Sequence, residues 1–182
     1  AIPSTVASQM WRFIFNDRYG LFNYFLFGDQ TELYLAPLAD PQLAIAAIMV
    51  ADVWKTTPFA ALIILAALQA VPDELYEAAS VDGAGGWQKF RRITLPMVKP
   101  AILLAFLFRT IDALRVFDLV FVMTQGGPAD STNVLQFYGY KKSFAEGMIG
   151  AGSTVSVLVF FLSLLFSLLY IRILGARVLR AG

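Results

Sequence analysis

The chain has 182 residues, 58% of them hydrophobic and only 15% charged, with a formal net charge of +1 and a mean hydropathy of +0.67. Ordinary globular domains are about 45–50% apolar and about 25% charged, so this is a membrane-class composition, and its near-neutral charge offers nucleic acid no field. Neither cysteine nor histidine occurs, which excludes disulfides, thiol catalysis and imidazole acid–base chemistry.

The opening Ala1-Ile2-Pro3-Ser4 has no initiator methionine, basic leader or cleavage site, so the chain reads as a fragment beginning inside an element. Residues 1–16 read as the exit half of a span, with Trp11, Phe13, Phe15 and Tyr19 as an interfacial aromatic belt. Residues 17–41, punctuated by Gly20, Gly28, Pro37 and Pro41, read as a connector. Residues 42–70 form the first full span, since about 20 mostly apolar residues cross a bilayer; Asp52, Lys55 and Pro58 interrupt it. After a polar segment at 71–99, a second span is expected over 100–123, apolar at both ends and charged in its middle. Gln125-Gly126-Gly127-Pro128 marks a sharp turn at the head of a 124–150 connector, which holds an amphipathic helix from about Asn133 to Phe144. Residues 151–174 form the third span, free of charge from Ala151 to Ile171, and 175–182 are a short tail. The whole is an all-α, polytopic membrane bundle.

Positive charge orients it. Lys89, Arg91, Arg92 and Lys99 lie in the polar segment, and Arg172, Arg177 and Arg180 lie at the C-terminus. Two crossings separate these groups, so they share a side, and the positive-inside rule makes that side cytoplasmic.

Within the polar segment, Pro72-Asp73-Glu74 is a helix start, with acids at the positive end of the dipole. Ala78 and Ala79 give a small-residue face that another protein can approach closely, and Gly83, followed by Gly85 and Gly86, ends the helix. A second short helix is expected over Trp87 to Ile93, stopping before Pro96. The two make an elbow, which on these grounds serves equally as a lever or as a plain connector.

The residue pattern adds to that reading. Glu77-Ala78-Ala79, Asp82-Gly83-Ala84, Phe90, Ile93, Leu95-Pro96 and Pro100 resemble the EAA loop of ABC-importer permeases, in the form of the carbohydrate-uptake branch related to maltose and trehalose permeases. The likeness covers nearly the whole chain: Trp54 to Pro58 and Val71 to Tyr76 match before the loop, and Phe117-Asp118 and Thr124 to Pro128 match after it. The resemblance implies a type I importer permease fold, with further spans before residue 1. It implies that Glu77, Ala78, Ala79, Asp82, Gly83 and Ala84 dock on a cytoplasmic ATPase subunit. Also implied are a second permease as heterodimer partner, two ATPase subunits and an extracytoplasmic sugar-binding protein, in contact with membrane lipid. No Walker-type phosphate loop occurs, so this chain is expected to bind no cofactor, with ATP and magnesium on the partner subunits, and to be no enzyme itself.

Arg109, Asp112, Arg115 and Asp118 are spaced three apart, a slanted ladder of alternating sign on one helix. Arg109 lies roughly 13.5 Å beyond Pro100 at 1.5 Å per residue, near the middle of a core about 30 Å thick. Charges there cost at least about 2.5–3.5 kcal/mol each, so they face helices or a cavity. A self-neutralising network and a hydrogen-bonding wall for sugar hydroxyls both satisfy this. Pro58 frees the Trp54 carbonyl, and backbone oxygen at membrane depth is tolerated only against protein or a wet cavity. Together with the family's site region, this makes Ser4, Trp54, Lys55, Thr56, Phe59, Arg109, Asp112 and Val116 the expected substrate path. Asp52, Arg115 and Asp118 are assigned to intramembrane ion pairs; Lys55 can also pair with Asp52. Because Lys55, Arg109 and Arg115 depart from a neutral lining, an anionic solute such as a glycerol phosphate is the alternative cargo. A secondary transporter or channel using the ladder as a relay is the alternative of another class. An intramembrane carboxylate enzyme is disfavoured, Asp112 and Asp118 being too far round the helix to share a site.

Overall fold

A computed structural model describes residues 2–178, with side chains from Ile2 to Arg172 except Thr31. Of the positive tail, the Arg177 side chain and Arg180 lie outside the described residues. The described chain is helical, without strands. It divides into two compact units: residues 1–55 with 112–163, and residues 56–111 with 164–182.

Two helices are long and apolar enough to cross a membrane: α3 (Pro41–Gln69) and the Ile149–Arg172 part of α9 (Ile149–Val178). They correspond to the spans expected over 42–70 and 151–174. Asp40 starts α3, its Oδ1 accepting the N–H groups of Gln42 and Leu43 at 2.9 Å each. The helix then continues through Pro58.

The span expected over 100–123 is different. Helix α6 (Leu95–Leu114) ends, residues 115–117 leave helical geometry, and α7 (Asp118–Met123) begins at Phe117, with φ −135° and ψ −57°. Packing is the physical reason. Leu119, Val120 and Met123 of α7 are buried with Phe15, Ala47, Ile48, Ala51 and Phe137, and α7 lies against α1 (Ser4–Ile14). Burying such a side chain is worth roughly 1.5–3 kcal/mol, more than the few helical hydrogen bonds lost at the break, about 1 kcal/mol each.

A second difference lies at the polar segment. The helix expected to stop before Pro96 does not stop. Helix α5 (Gly86–Lys89) passes through a π turn (Phe90–Thr94) straight into α6. A proline ring clashes with the carbonyl four residues back and offers no N–H. One widened turn displaces the Arg92 carbonyl from Pro96, and Leu95 N–H bonds the Phe90 carbonyl five residues earlier.

The connector at 17–41 contains helix α2 (Leu21–Phe27). Asn23, fully buried, holds it. Its amide nitrogen donates to Leu35 O at 2.7 Å and Asp17 O at 3.2 Å, and its oxygen accepts Leu35 N–H at 3.0 Å. The connector at 124–150 opens with a loop in which Gln125, Ala129 and Asp130 take φ of 53°, 49° and 57°. Buried Thr132 pins that loop by donating to Gly127 O at 2.7 Å and meeting the Thr124 hydroxyl at 2.7 Å. Helix α8 (Leu135–Tyr140) and a second π turn (Lys141–Ala145) follow, within the expected Asn133–Phe144 helix. There the Lys142 ammonium donates to the Glu146 carboxylate, which holds the lysine pKa above its ordinary range.

Candidate coupling elbow and substrate path

Helix α4 (Asp73–Val81) carries Asp73 and Glu74 in its first turn, where acids favour the dipole. Its end is a paired closure. Ala84 N–H donates to Ala79 O at 2.9 Å and Gly83 N–H to Ser80 O at 3.0 Å. This pattern needs a left-handed residue after the helix, and Gly83 supplies it with φ +76°. Glu77, Ala78, Asp82 and Gly83 are exposed and Ala79 and Ala84 half-buried, so the six residues expected to couple lie in one accessible turn. Val81 at 89% and Trp87 at 72% exposure extend it with apolar surface.

Behind that turn, α4 is tied to the next segment at two points. Tyr76 Oη and Thr94 Oγ1 lie 2.8 Å apart. The Lys89 ammonium donates to Ser80 Oγ at 2.6 Å, and that hydroxyl donates to Tyr76 O at 2.6 Å. Gly85 N–H, at the head of α5, donates to the Gln88 side chain at 3.1 Å.

The expected path residues fall in both units. In residues 1–55 with 112–163, Ser4 is the first residue of α1, and its carbonyl accepts the Ser8 hydroxyl at 2.7 Å. Trp54 is half-exposed and meets Trp11 edge-on at 5.8 Å between centroids, and Trp11 stacks on Phe15 at 5.4 Å. Trp11 and Val116 both pack against the buried cluster, so Trp54 and Val116 are linked through it. Lys55 and Asp52 are half-buried, and Asp112 is exposed. In the other unit, Phe59 is exposed and meets Phe108 edge-on at 5.9 Å, while Thr56 and Arg109 are half-buried.

The break after Leu114 corrects the ladder. Arg115 lies in the break and Asp118 begins a separate helix, so the three-residue register ends at Asp112. Among the described residues, neither Arg115 nor Asp118 makes an ion pair within 4 Å, and Lys55 does not pair with Asp52.

These features sit in a chain that can be compared with known proteins. A family model described as "binding-protein-dependent transport system inner membrane component" matches residues 1–180. The chain belongs to this family. Among curated relatives, it is 43% identical over 95% of its length to the trehalose/maltose transport system permease protein MalF of Thermococcus litoralis, covering 58% of that protein. It is 41% identical over 97% to the sulfoquinovosyl glycerol transport system permease protein SmoG of Agrobacterium fabrum, covering 57% of it. To the trehalose transport system permease protein SugA of Mycobacterium tuberculosis it is 38% identical over 96%, covering 55%. The chain thus spans somewhat more than half the length of these relatives. A bacterial ABC transporter involved in import of the acidic polysaccharide alginate shares the fold, with a TM-score of 0.86 at 22% identity over 96% of this chain and 61% of that one. The all-α importer-permease fold expected from the sequence is therefore the observed one.

Membership in the inner-membrane-component family agrees with the two apolar spans. Trp11, placed in an aromatic belt by sequence alone, meets Trp54 edge-on. The Tyr76–Thr94 and Ser80–Lys89 ties had only a faint signal: Tyr76 and Ser80 stand four apart on one helical face.

Proposed function

We propose that this chain is part of the membrane permease of an ATP-driven, binding-protein-dependent importer for a sugar, with a di- or oligosaccharide as cargo. The observation that carries the reading is the exposed, Gly83-closed turn of Glu77 to Ala84 in a member of this transport family. The cargoes for which these relatives are named, trehalose, maltose and a sulfoquinovosyl glycerol, support a sugar as cargo.

In this reading the elbow docks in a cytoplasmic ATPase subunit. Ala78 and Ala79 permit close approach, Gly83 sets the bend, and Glu77 accepts hydrogen bonds or pairs with a basic residue. Two such ATPase subunits hold ATP and magnesium. A second permease completes the path as a heterodimer, and an extracytoplasmic binding protein delivers the sugar; an alginate transporter of this fold has been solved with its pentasaccharide-bound periplasmic protein. Residues 71–99 and the C-terminus lie in the cytoplasm, residues 17–41 and 124–150 outside. Trp54 and Phe59 offer ring faces to the sugar, Ser4, Lys55, Thr56, Arg109 and Asp112 offer hydrogen bonds, and Val116 shapes the wall.

The test is ATP hydrolysis by the reconstituted assembly with sugar-loaded binding protein, wild type beside Glu77→Lys. Loss of stimulation or of ATPase-subunit retention in the variant supports docking. Normal stimulation reduces the elbow to a connector and removes the main support for the reading.

A second reading, an anionic sugar-like solute, rests on Lys55, Arg109 and Arg115 and on the relative that carries a sulfoquinovosyl glycerol. Competition of stimulated hydrolysis by an anionic against a neutral disaccharide separates the two. The relay reading loses its geometric basis at the break after Leu114.

A further inference from the structure

Resting on the docking reading, we propose that the Tyr76–Thr94 and Ser80–Lys89 contacts are a two-point clamp. It makes α4 and the start of α6 move as one body, and the π turn at Phe90–Thr94 is what aligns the second attachment point.

The geometry behind this is simple. Tyr76 and Ser80 stand four residues apart, one above the other on α4. Their partners, Lys89 and Thr94, stand five apart. In an α-helix five residues rotate by roughly 500°, which leaves Thr94 about 140° away from Lys89 and out of reach of the same neighbour. Closing the turn from residue 90 to residue 95 adds one residue to the ring and brings the two partners toward one face. Both contacts then form, at 2.8 Å and 2.6 Å.

A single tie would let α4 pivot about it. Two ties one turn apart remove that freedom, so a push on the exposed turn at Glu77 to Ala84 passes into α6 instead of being taken up between α4 and α5. The glycines at 83, 85 and 86 would otherwise leave that junction loose. The four clamp residues are positioning residues; none is among the six expected docking residues, although Ser80 lies in the same turn.

Residues 1–182 hold no cysteine, so two introduced thiols label cleanly once any others in the assembly are replaced. Spin labels at Leu75→Cys and Met97→Cys, both on exposed positions, report the distance between α4 and the start of α6 in the full transporter assembly. A narrow distance distribution is expected, unchanged by ATP. Tyr76→Phe with Lys89→Met is expected to broaden it, with Thr94→Val doing so in part and Thr94→Ser, which keeps the hydroxyl, restoring the wild-type width. A broad wild-type distribution, an ATP-dependent shift in its mean, or a double variant as narrow as wild type overturns the clamp. Retention of the ATPase subunit is scored in the same preparations with Gly83→Pro added. If that variant retains the ATPase subunit, the docking reading fails whatever the label distances. If it loses the subunit while the clamp variants stay narrow, only the clamp fails.

Discussion

Two glycine-bearing turns in this chain solve opposite problems. At Gly83, φ is +76° and an added Cβ would meet nothing within 4 Å; the turn is closed by backbone hydrogen bonds and its side chains face outward. At Gly126, φ is +85°, and an added Cβ would lie 2.7 Å from the Phe137 ring. That turn is closed by buried Thr132 and pressed on the aromatic cluster. The first is held from behind so that its surface stays free; the second is held from within so that its shape stays fixed. Exposure, and not flexibility, distinguishes the proposed docking turn from the structural one.

The largest expected effect breaks the first turn. Gly83→Pro demands φ near −65° where +76° is needed and removes the N–H that Ser80 accepts, a loss of about 3 kcal/mol or more. Co-purification of the ATPase subunit should fail. Next comes Gly126→Ala, where the left-handed cost of about 1–2 kcal/mol is joined by a clash with a buried ring. Thermal unfolding in detergent should fall further than for Gly83→Ala, which incurs the backbone cost alone; equal losses would erase the contrast between the turns. Thr132→Val deletes two buried hydroxyl contacts and should cost about 1–3 kcal/mol, with the loop after Thr124 gaining amide exchange while the elbow does not. The smallest effect is Val81→Ser, within about 0.5 kcal/mol for stability. If the turn docks, that change should still weaken ATPase-subunit retention.

Much of this was legible in the residues. The uncharged run from Ala151 to Ile171 predicts a span and α9 is one; Pro72-Asp73-Glu74 and Gly83 bracket α4 as capping rules require. The misreadings share a cause. Residues 101–123 are apolar at both ends and charged in the middle, and no proline or glycine announces a break at 115–117; it follows from where Leu119, Val120 and Met123 find their neighbours, Phe15 and Phe137 among them. Pro96 reads as a stop because local rules omit the option of one widened turn. The path residues were nominated by likeness and local chemistry. The structure links Trp54 and Val116 through Trp11 and the buried cluster, a tertiary relation that spacing cannot announce.

The charges on α6 also bear on how the chain is made. Lys99, Arg109 and Asp112 leave α6 outside the set of helices apolar enough to cross a membrane, whereas α3 and α9 qualify. Two central charges add about 2.5–3.5 kcal/mol each against partition from the translocon into lipid. At that cost α6 is expected to stay at the translocon until α9 follows. A reporter fused after Thr132 should stay on the side of synthesis when synthesis ends there and cross the membrane only in chains that continue through α9. On this expectation α9 fixes the place of a helix made before it.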